Sequence, residues 1–226
     1  MTTKTAKHGS VKTWVLIVAS LAMSSGTVAG PRTTLSPTIT AAPQADTVSW
    51  EAMAGYYRFP NRAAYIRFFD QEDEFVAQQV WDGRTYPLHR TGSLTFQSSD
   101  EAYEIAFMEG KAGVIDKAKI LGRIILEKVS YNPTRYIKPT AEQLKPLLGL
   151  YQFQKDKNME ISLSIQGGKL ALRQQWDNQT ILFEAYSPTD FFNEELTFPL
   201  TFDIENGAVK KLTCFESDVW LKKEAK

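Results

Sequence analysis

The 226-residue chain carries 26 basic and 26 acidic side chains, one cysteine and two histidines. A single cysteine excludes an intrachain disulfide, and a balanced charge provides no basic stripe to draw phosphate backbones, which disfavours nucleic-acid binding. The length holds two small domains once a non-globular start is subtracted.

Residues 1–29 read as a signal peptide. Lys4, Lys7 and Lys12 precede the short apolar run Trp14 to Met23, and Thr27-Val28-Ala29 offers small residues at a cleavage point. Ten helical residues cover about 15 Å, roughly half the hydrocarbon core of a bilayer, so export is favoured over an uncleaved anchor. No later apolar run is long enough to span, and Cys214 lies too far downstream to be a lipid-modified residue after the signal. Without residues 1–29, 23 basic and 26 acidic side chains remain, a net charge of −3. The expected location is periplasmic or secreted. Residues 30–47, with three prolines and many threonines, read as a flexible linker too poor in apolar groups to offset its own ordering.

From there the sequence repeats itself. Trp81-Asp82 in QQVWDGRT returns as Trp176-Asp177 in RQQWDNQT, an offset of 95 residues that also relates Phe96 to Phe191, Ile105 to Leu200, Phe107 to Phe202, Val114 to Val209 and Leu126 to Leu221. Gly55 and Tyr57 map onto Gly149 and Tyr151 at an offset of 94. Solenoid periods are shorter, so the repeat is a whole small domain. Copy 1 occupies 48–131, a proline-bearing linker 132–139, and copy 2 140–226.

Each copy opens with a short helical candidate. In copy 2, Thr140 and Gln143 have capping-box spacing, and Pro146 keeps the helix short. Strands follow. Ile161, Leu163 and Ile165 alternate with serines, Gly167-Gly168 suits a tight hairpin, and Leu170 and Leu172 begin the return strand. Phe198, Leu200, Phe202 and Ile204 are expected on one face, followed by the hairpin signal Asn206-Gly207. Copy 1 repeats this pattern with Glu72-Asp73 in place of the glycine pair. Seven or eight short strands per copy predict an all-β chain: two tandem small antiparallel barrels or flattened barrels, each preceded by a short helix.

Chemistry-bearing constellations are few. Beyond the signal the only histidine is His89, expected on the outer face of a strand opposite Leu88. No cysteine or histidine cluster, phosphate loop or calcium loop is present, so neither metal nor cofactor is expected. Cys214, between Leu212 and Phe215, reads as a buried thiol. Asp82 and Asp177 recur at equivalent places, as a carboxylate pair for hydrolysis would require, but each sits where aspartate serves a turn. One strand earlier, Phe75, Ala77, Gln79 and Trp81 are expected to share a face, as are Leu170, Leu172, Gln174 and Trp176. A buried amide must be hydrogen-bonded, either to backbone at a barrel end or to water or ligand in a cavity. Gln79, Trp81, Gln174 and Trp176 are therefore the candidate binding residues.

The run LKPLLGLYQF, an alternating strand, a Gly-Gly turn, YSPTDFF, FPLTFDI and NGAVKKL resemble the small β-domain behind the catalytic domain of exported serine hydrolases related to β-lactamases and penicillin-binding proteins. The likeness covers most of 140–226 and, more faintly, 48–131. It implies a lipocalin-like, short-stranded barrel without catalysis of its own. The hydrolase body is missing: no Ser-x-x-Lys occurs, and His89-Arg90-Thr91-Gly92 only echoes the Lys-Thr-Gly element.

The expected function is a non-enzymatic binding or accessory module of the cell envelope whose partner is another protein or a small apolar ligand; a protein partner would dock on a surface patch of Tyr56, Tyr57, Tyr131 and Tyr136. The alternatives are a lipocalin-type carrier of a small apolar ligand, with Trp81 or Trp176 lining a cavity, and a carboxylate-dependent hydrolase.

Overall fold

The computed structural model describes residues 48–223, so the expected signal and tether over 1–47 lie outside the described residues. In copy 1, helix α1 (Trp50–Met53) precedes β1 (Gly55–Arg58), β2 (Tyr65–Gln71), β3 (Glu74–Gln79), β4 (Thr85–Arg90), β5 (Thr95–Ser98), β6 (Glu104–Glu109), β7 (Ile115–Ile120) and β8 (Ile124–Val129). In copy 2, α2 (Ala141–Leu144) precedes β9 (Gly149–Phe153), β10 (Glu160–Gln166), β11 (Lys169–Gln174), β12 (Thr180–Ala185), β13 (Asp190–Asn193), β14 (Phe198–Glu205), β15 (Ala208–Cys214) and β16 (Asp218–Lys222). Consecutive strands pair antiparallel, and the last pairs with the first, giving two closed eight-stranded barrels. No described helix is long and apolar enough to cross a membrane.

Local chemistry sets the turns. Gly167-Gly168 and Asn206-Gly207 carry positive φ at both positions, the hairpin geometry that matches strand twist. Glu72 and Asp73 adopt the same geometry at φ 52° and 64° without glycine, a cost of roughly 1–2 kcal/mol each. The Thr140–Gln143 capping box forms, with Thr140 N donating to Gln143 Oε1 (2.8 Å) and Gln143 N to Thr140 Oγ1 (3.3 Å).

Both interiors are filled. Tyr57, Phe68, Phe75, Phe96, Phe107 and Leu126 occupy barrel 1, with Phe68 edge-on to Phe107 at 4.9 Å. Tyr151, Leu163, Leu172, Phe183, Phe191, Phe202 and Cys214 are among those filling barrel 2. Burial pushes the Cys214 thiol well above its ordinary range, as suits a small hydrophobe. One end of each barrel is closed by the same device. The buried Tyr57 hydroxyl donates to the Met53 carbonyl (2.8 Å), and Tyr151 to that of Leu147 (2.7 Å), pinning the helical segment over the opening. Lys128 and Lys222 reach across to the carbonyls of Ala52 (2.8 Å) and Pro146 (2.5 Å). Gly55 and Gly149 lie at φ 136° and 127°, and a Cβ on Gly55 would meet the Lys128 stem at 2.9 Å. The Gly-x-Tyr repeat is thus the barrel plug.

Four expectations are corrected. Ile204 does not join Phe202 in the core: it lies next to the end of β14, beside a bulge that leaves Lys210 of β15 unpaired, and is exposed. Leu126 corresponds to Trp220 rather than Leu221: Ala118 pairs with Leu126 as Leu212 pairs with Trp220. Likewise Ile115, not the exposed Val114, matches Val209. The β6–β7 connection holds one residue more than its counterpart, with a 3-10 turn (Lys111–Gly113) in place of Asn206-Gly207. The four tyrosines do not form one patch either. Tyr57 is in the core, while Tyr131 and Tyr136 join a stack between the barrels.

That stack belongs to a buried interface. Arg58 Nη1 of β1 donates to Asp190 Oδ1 of β13 (2.6 Å) and to Thr201 Oγ1 of β14 (3.1 Å). Asp190 Oδ2 also accepts from the hydroxyls of Ser187 (2.8 Å) and Thr189 (2.9 Å). Beside the pair, the Tyr186 ring lies parallel to Tyr131 at 5.9 Å and to Tyr136 at 5.1 Å, and Tyr65 and Tyr131 share a hydroxyl contact of 3.0 Å. Burial pushes Tyr65 up to about 12. The linker is tied down by a 2.8 Å hydrogen bond from Ile137 N to the Ala185 carbonyl.

Two measurements test this account by chemical denaturation. Tyr57→Phe and Tyr151→Phe should each cost about 1–3 kcal/mol, because each leaves a carbonyl without its partner at the barrel end. Arg58→Ala should cost about 3–5 kcal/mol by stranding the Asp190 carboxylate, and joint replacement with Asp190→Ala should cost less than the sum of the singles.

Candidate functional site

The sequence element that repeats most closely is Gln-x-Trp-Asp, and it forms the same turn twice. Strands β3 and β11 end at Gln79 and Gln174. Gly83 N donates to the Gln79 carbonyl (2.9 Å), and Asn178 N to that of Gln174 (3.1 Å). The closing residue is left-handed, at φ 75° for Gly83 and 60° for Asn178, which explains glycine or asparagine there. The aspartates staple the far side: Asp82 Oδ1 accepts from Arg84 N (3.0 Å) and Asp177 Oδ1 from Gln179 N (2.9 Å).

The glutamines complete the lock. Oriented by its neighbours, the Gln79 amide nitrogen donates to the Asp82 carboxylate at 3.0 and 3.3 Å, while its oxygen accepts from the Tyr86 hydroxyl at 3.2 Å. The Gln174 nitrogen meets both Asp177 oxygens at 3.0 and 3.1 Å. Each aspartate is thereby committed to its own turn.

The tryptophans are held outside. Because the strand ends at the glutamine, neither indole shares the interior face of Phe75 or Leu172. Trp81 and Trp176 are each 48% exposed. Trp81 touches Phe59 edge-on at 5.9 Å, and Trp176 lies nearly parallel to Trp220 at 6.4 Å, which itself packs on Phe153 at 4.8 Å. The four candidate residues therefore form two copies of one surface feature, an indole on a locked turn.

The remaining candidates do not converge. His89 is exposed, with Nε2 3.0 Å from Ser99 Oγ. That hydroxyl donates its one proton to the Pro87 carbonyl (3.0 Å), so the ring nitrogen is the donor and not a base for the serine. Among the described residues no cluster of His, Cys, Asp or Glu could hold a metal ion. Sequence reasoning missed an open groove of about 360 Å³ on barrel 1, lined by Thr91, Thr95, Gln97, Glu104, Ala106 and Lys119 among others. It also missed Arg58, whose counterpart in copy 2 is an unremarkable glutamine.

If the aspartates serve the turn, Asp177→Asn should hold stability within about 0.5 kcal/mol because the amide oxygen still accepts from Gln179 N, whereas Asp177→Ala should cost about 1 kcal/mol. Urea titrations of the two variants measure the difference. The sequence matches no protein-family model and no curated protein.

Proposed function

We propose that this is an exported, non-catalytic tandem β-domain protein that acts as a binding or accessory module of the cell envelope, recognising a protein partner through its outer surface. The observation that carries this reading is the equal exposure of Trp81 and Trp176, each 48%, on turns that Gln79–Asp82 and Gln174–Asp177 lock in the same way, though the rings rest on different neighbours. Tryptophan is enriched among the residues that dominate binding energy at protein interfaces, and a preformed loop loses little entropy on association. The filled interiors support recognition outside the barrels over carriage of an apolar ligand within them. The use of Asp82 and Asp177 as turn staples supports binding over carboxylate hydrolysis. The resemblance to the appended domains of β-lactamase-related hydrolases points the same way.

Titration with a fluorescent fatty acid should give no saturable change in tryptophan emission; saturation at one probe per barrel would replace this reading with the carrier. In pull-downs from envelope extract, a partner retained by the native protein should be lost from the Trp81→Ala, Trp176→Ala double variant. Equal recovery by both proteins would remove the tryptophan turns from the account.

A further inference from the structure

The contact between the two barrels joins unlike faces. Barrel 1 offers Arg58 of β1, held from its own side by Glu127 of β8, and Tyr65 of β2; barrel 2 receives Arg58 on Asp190 of β13 and Thr201 of β14, and Tyr65 on the Tyr186 ring. Strand register identifies what each barrel carries at the other's contact position. Asp190 pairs with Thr201, and Thr201 with Thr213, as Thr95 pairs with Ala106 and Ala106 with Lys119. The receiving face of barrel 2 thus corresponds to Thr95, Ala106 and Lys119 of barrel 1, three residues of the open groove. Likewise Arg58 pairs with Tyr65 and Glu127, as Gln152 pairs with Glu160 and Leu221. The inserting face of barrel 1 therefore corresponds to Gln152, Glu160 and Leu221 of barrel 2.

A head-to-tail contact leaves one unused face of each kind, and unlike faces add without closing unless a rotation forms a ring. We propose that the groove of barrel 1 is a docking socket for a second copy of this chain, entered by the β9–β10–β16 face of that copy's barrel 2. Two features support this occupant. The ion pair has been replaced on both sides at once: arginine becomes Gln152 and aspartate becomes Thr95, which can share a hydrogen bond, while the charges left at matching positions, Lys119 on the socket and Glu160 on the inserting face, are opposite in sign. Leu221, 44% exposed at the place of Glu127, offers an apolar contact to that face, where Ala106 stands in for the hydroxyl of Thr201. The groove is open where barrel 2 is filled because no guanidinium enters it. Within one chain the contact has a charge-assisted pair, a tyrosine stack and a short linker that keeps the local concentration high. Between chains it has none of these, so the association is weak and depends on concentration.

Sedimentation velocity of the purified chain from about 10 μM to 1 mM tests this over the range of weak contacts. The expected result is a rising weight-average mass that Thr95→Arg abolishes by filling the groove, while Glu72→Arg on a distant hairpin leaves it unchanged. A monomer at every concentration, or association indifferent to Thr95→Arg, overturns the proposal. A second experiment restores the pair in trans by mixing a Thr95→Asp preparation with a Gln152→Arg preparation. The mixture should associate at least about tenfold more tightly than the native chain, the gain falling with added salt; no gain overturns the proposal. The tryptophan turns are untouched in all these variants, so a monomeric outcome leaves the binding-module reading standing.

Discussion

Closure is the constraint on which the rest of this molecule depends. Eight strands joined first to last leave an interior about as wide as the side chains that point into it. Here that space is taken by rings and leucines, from Phe68, Phe75 and Phe107 in one barrel to Phe183, Phe202 and Leu172 in the other. The buried tyrosines, Tyr57 and Tyr151, then spend their hydroxyls on the helical segment that covers one end, so even the polar atom of the plug is satisfied. With edges abolished and interiors occupied, what remains for recognition is the outer surface, its turns and the seams between domains.

The seam shows how two copies of one unit came to do different things. A buried ion pair is weak evidence for stability, since desolvation offsets much of the attraction, but strong evidence for a fixed arrangement. Asp190 accepts from Arg58 and from the hydroxyls of Ser187, Thr189 and Thr201, so its charge is matched only when barrel 1 sits in one place. The tyrosine stack and the Ile137–Ala185 bond then fix the linker to the same spot. Copy 1 supplies the arginine and copy 2 the carboxylate, and neither copy has both. Difference at two outward positions, Arg58 against Gln152 and Asp190 against Thr95, separates the two barrels' contact faces, while the inward positions change only from one apolar group to another.

What was legible in the sequence follows from which signals are local. Thr140 with Gln143, Gly167-Gly168 and Asn206-Gly207 each encode a conformation within a few residues, and each appears as read. The duplication was legible because interior positions such as Phe96 and Phe191, or Phe107 and Phe202, face the same packing demand in both copies. Errors arose where local pattern was extrapolated past an irregularity. The longer β6–β7 connection breaks the repeat offset by one residue, which paired Leu126 with the wrong partner, and Ile204 lies near a strand end, where alternation no longer means burial. The face of Phe75 and Ala77 was continued past the end of β3 into the turn, to Trp81. Arg58 and Asp190 were invisible for a different reason. They are 132 residues apart, belong to unlike faces and are matched in the other copy by residues of a different kind, Gln152 and Thr95, so neither period nor repeat marks them.

The locked turns present a last physical question, which is why an indole should sit where a small polar residue would do. A five-residue connection between β3 and β4, or between β11 and β12, needs an acceptor for the backbone and a residue tolerant of positive φ, and Asp82 with Gly83 or Asp177 with Asn178 supplies both. The glutamine adds rigidity by holding the carboxylate. None of this requires tryptophan. An indole left half in water gains only part of the transfer energy it would gain in the core, while exposing a surface that favours contact. The flanking residues have drifted, with Val80 against Gln175 and Arg84 against Gln179, yet glutamine, tryptophan and aspartate stand in both copies. A turn that is over-determined in shape and under-used in burial is better accounted for by what it presents than by what it holds together.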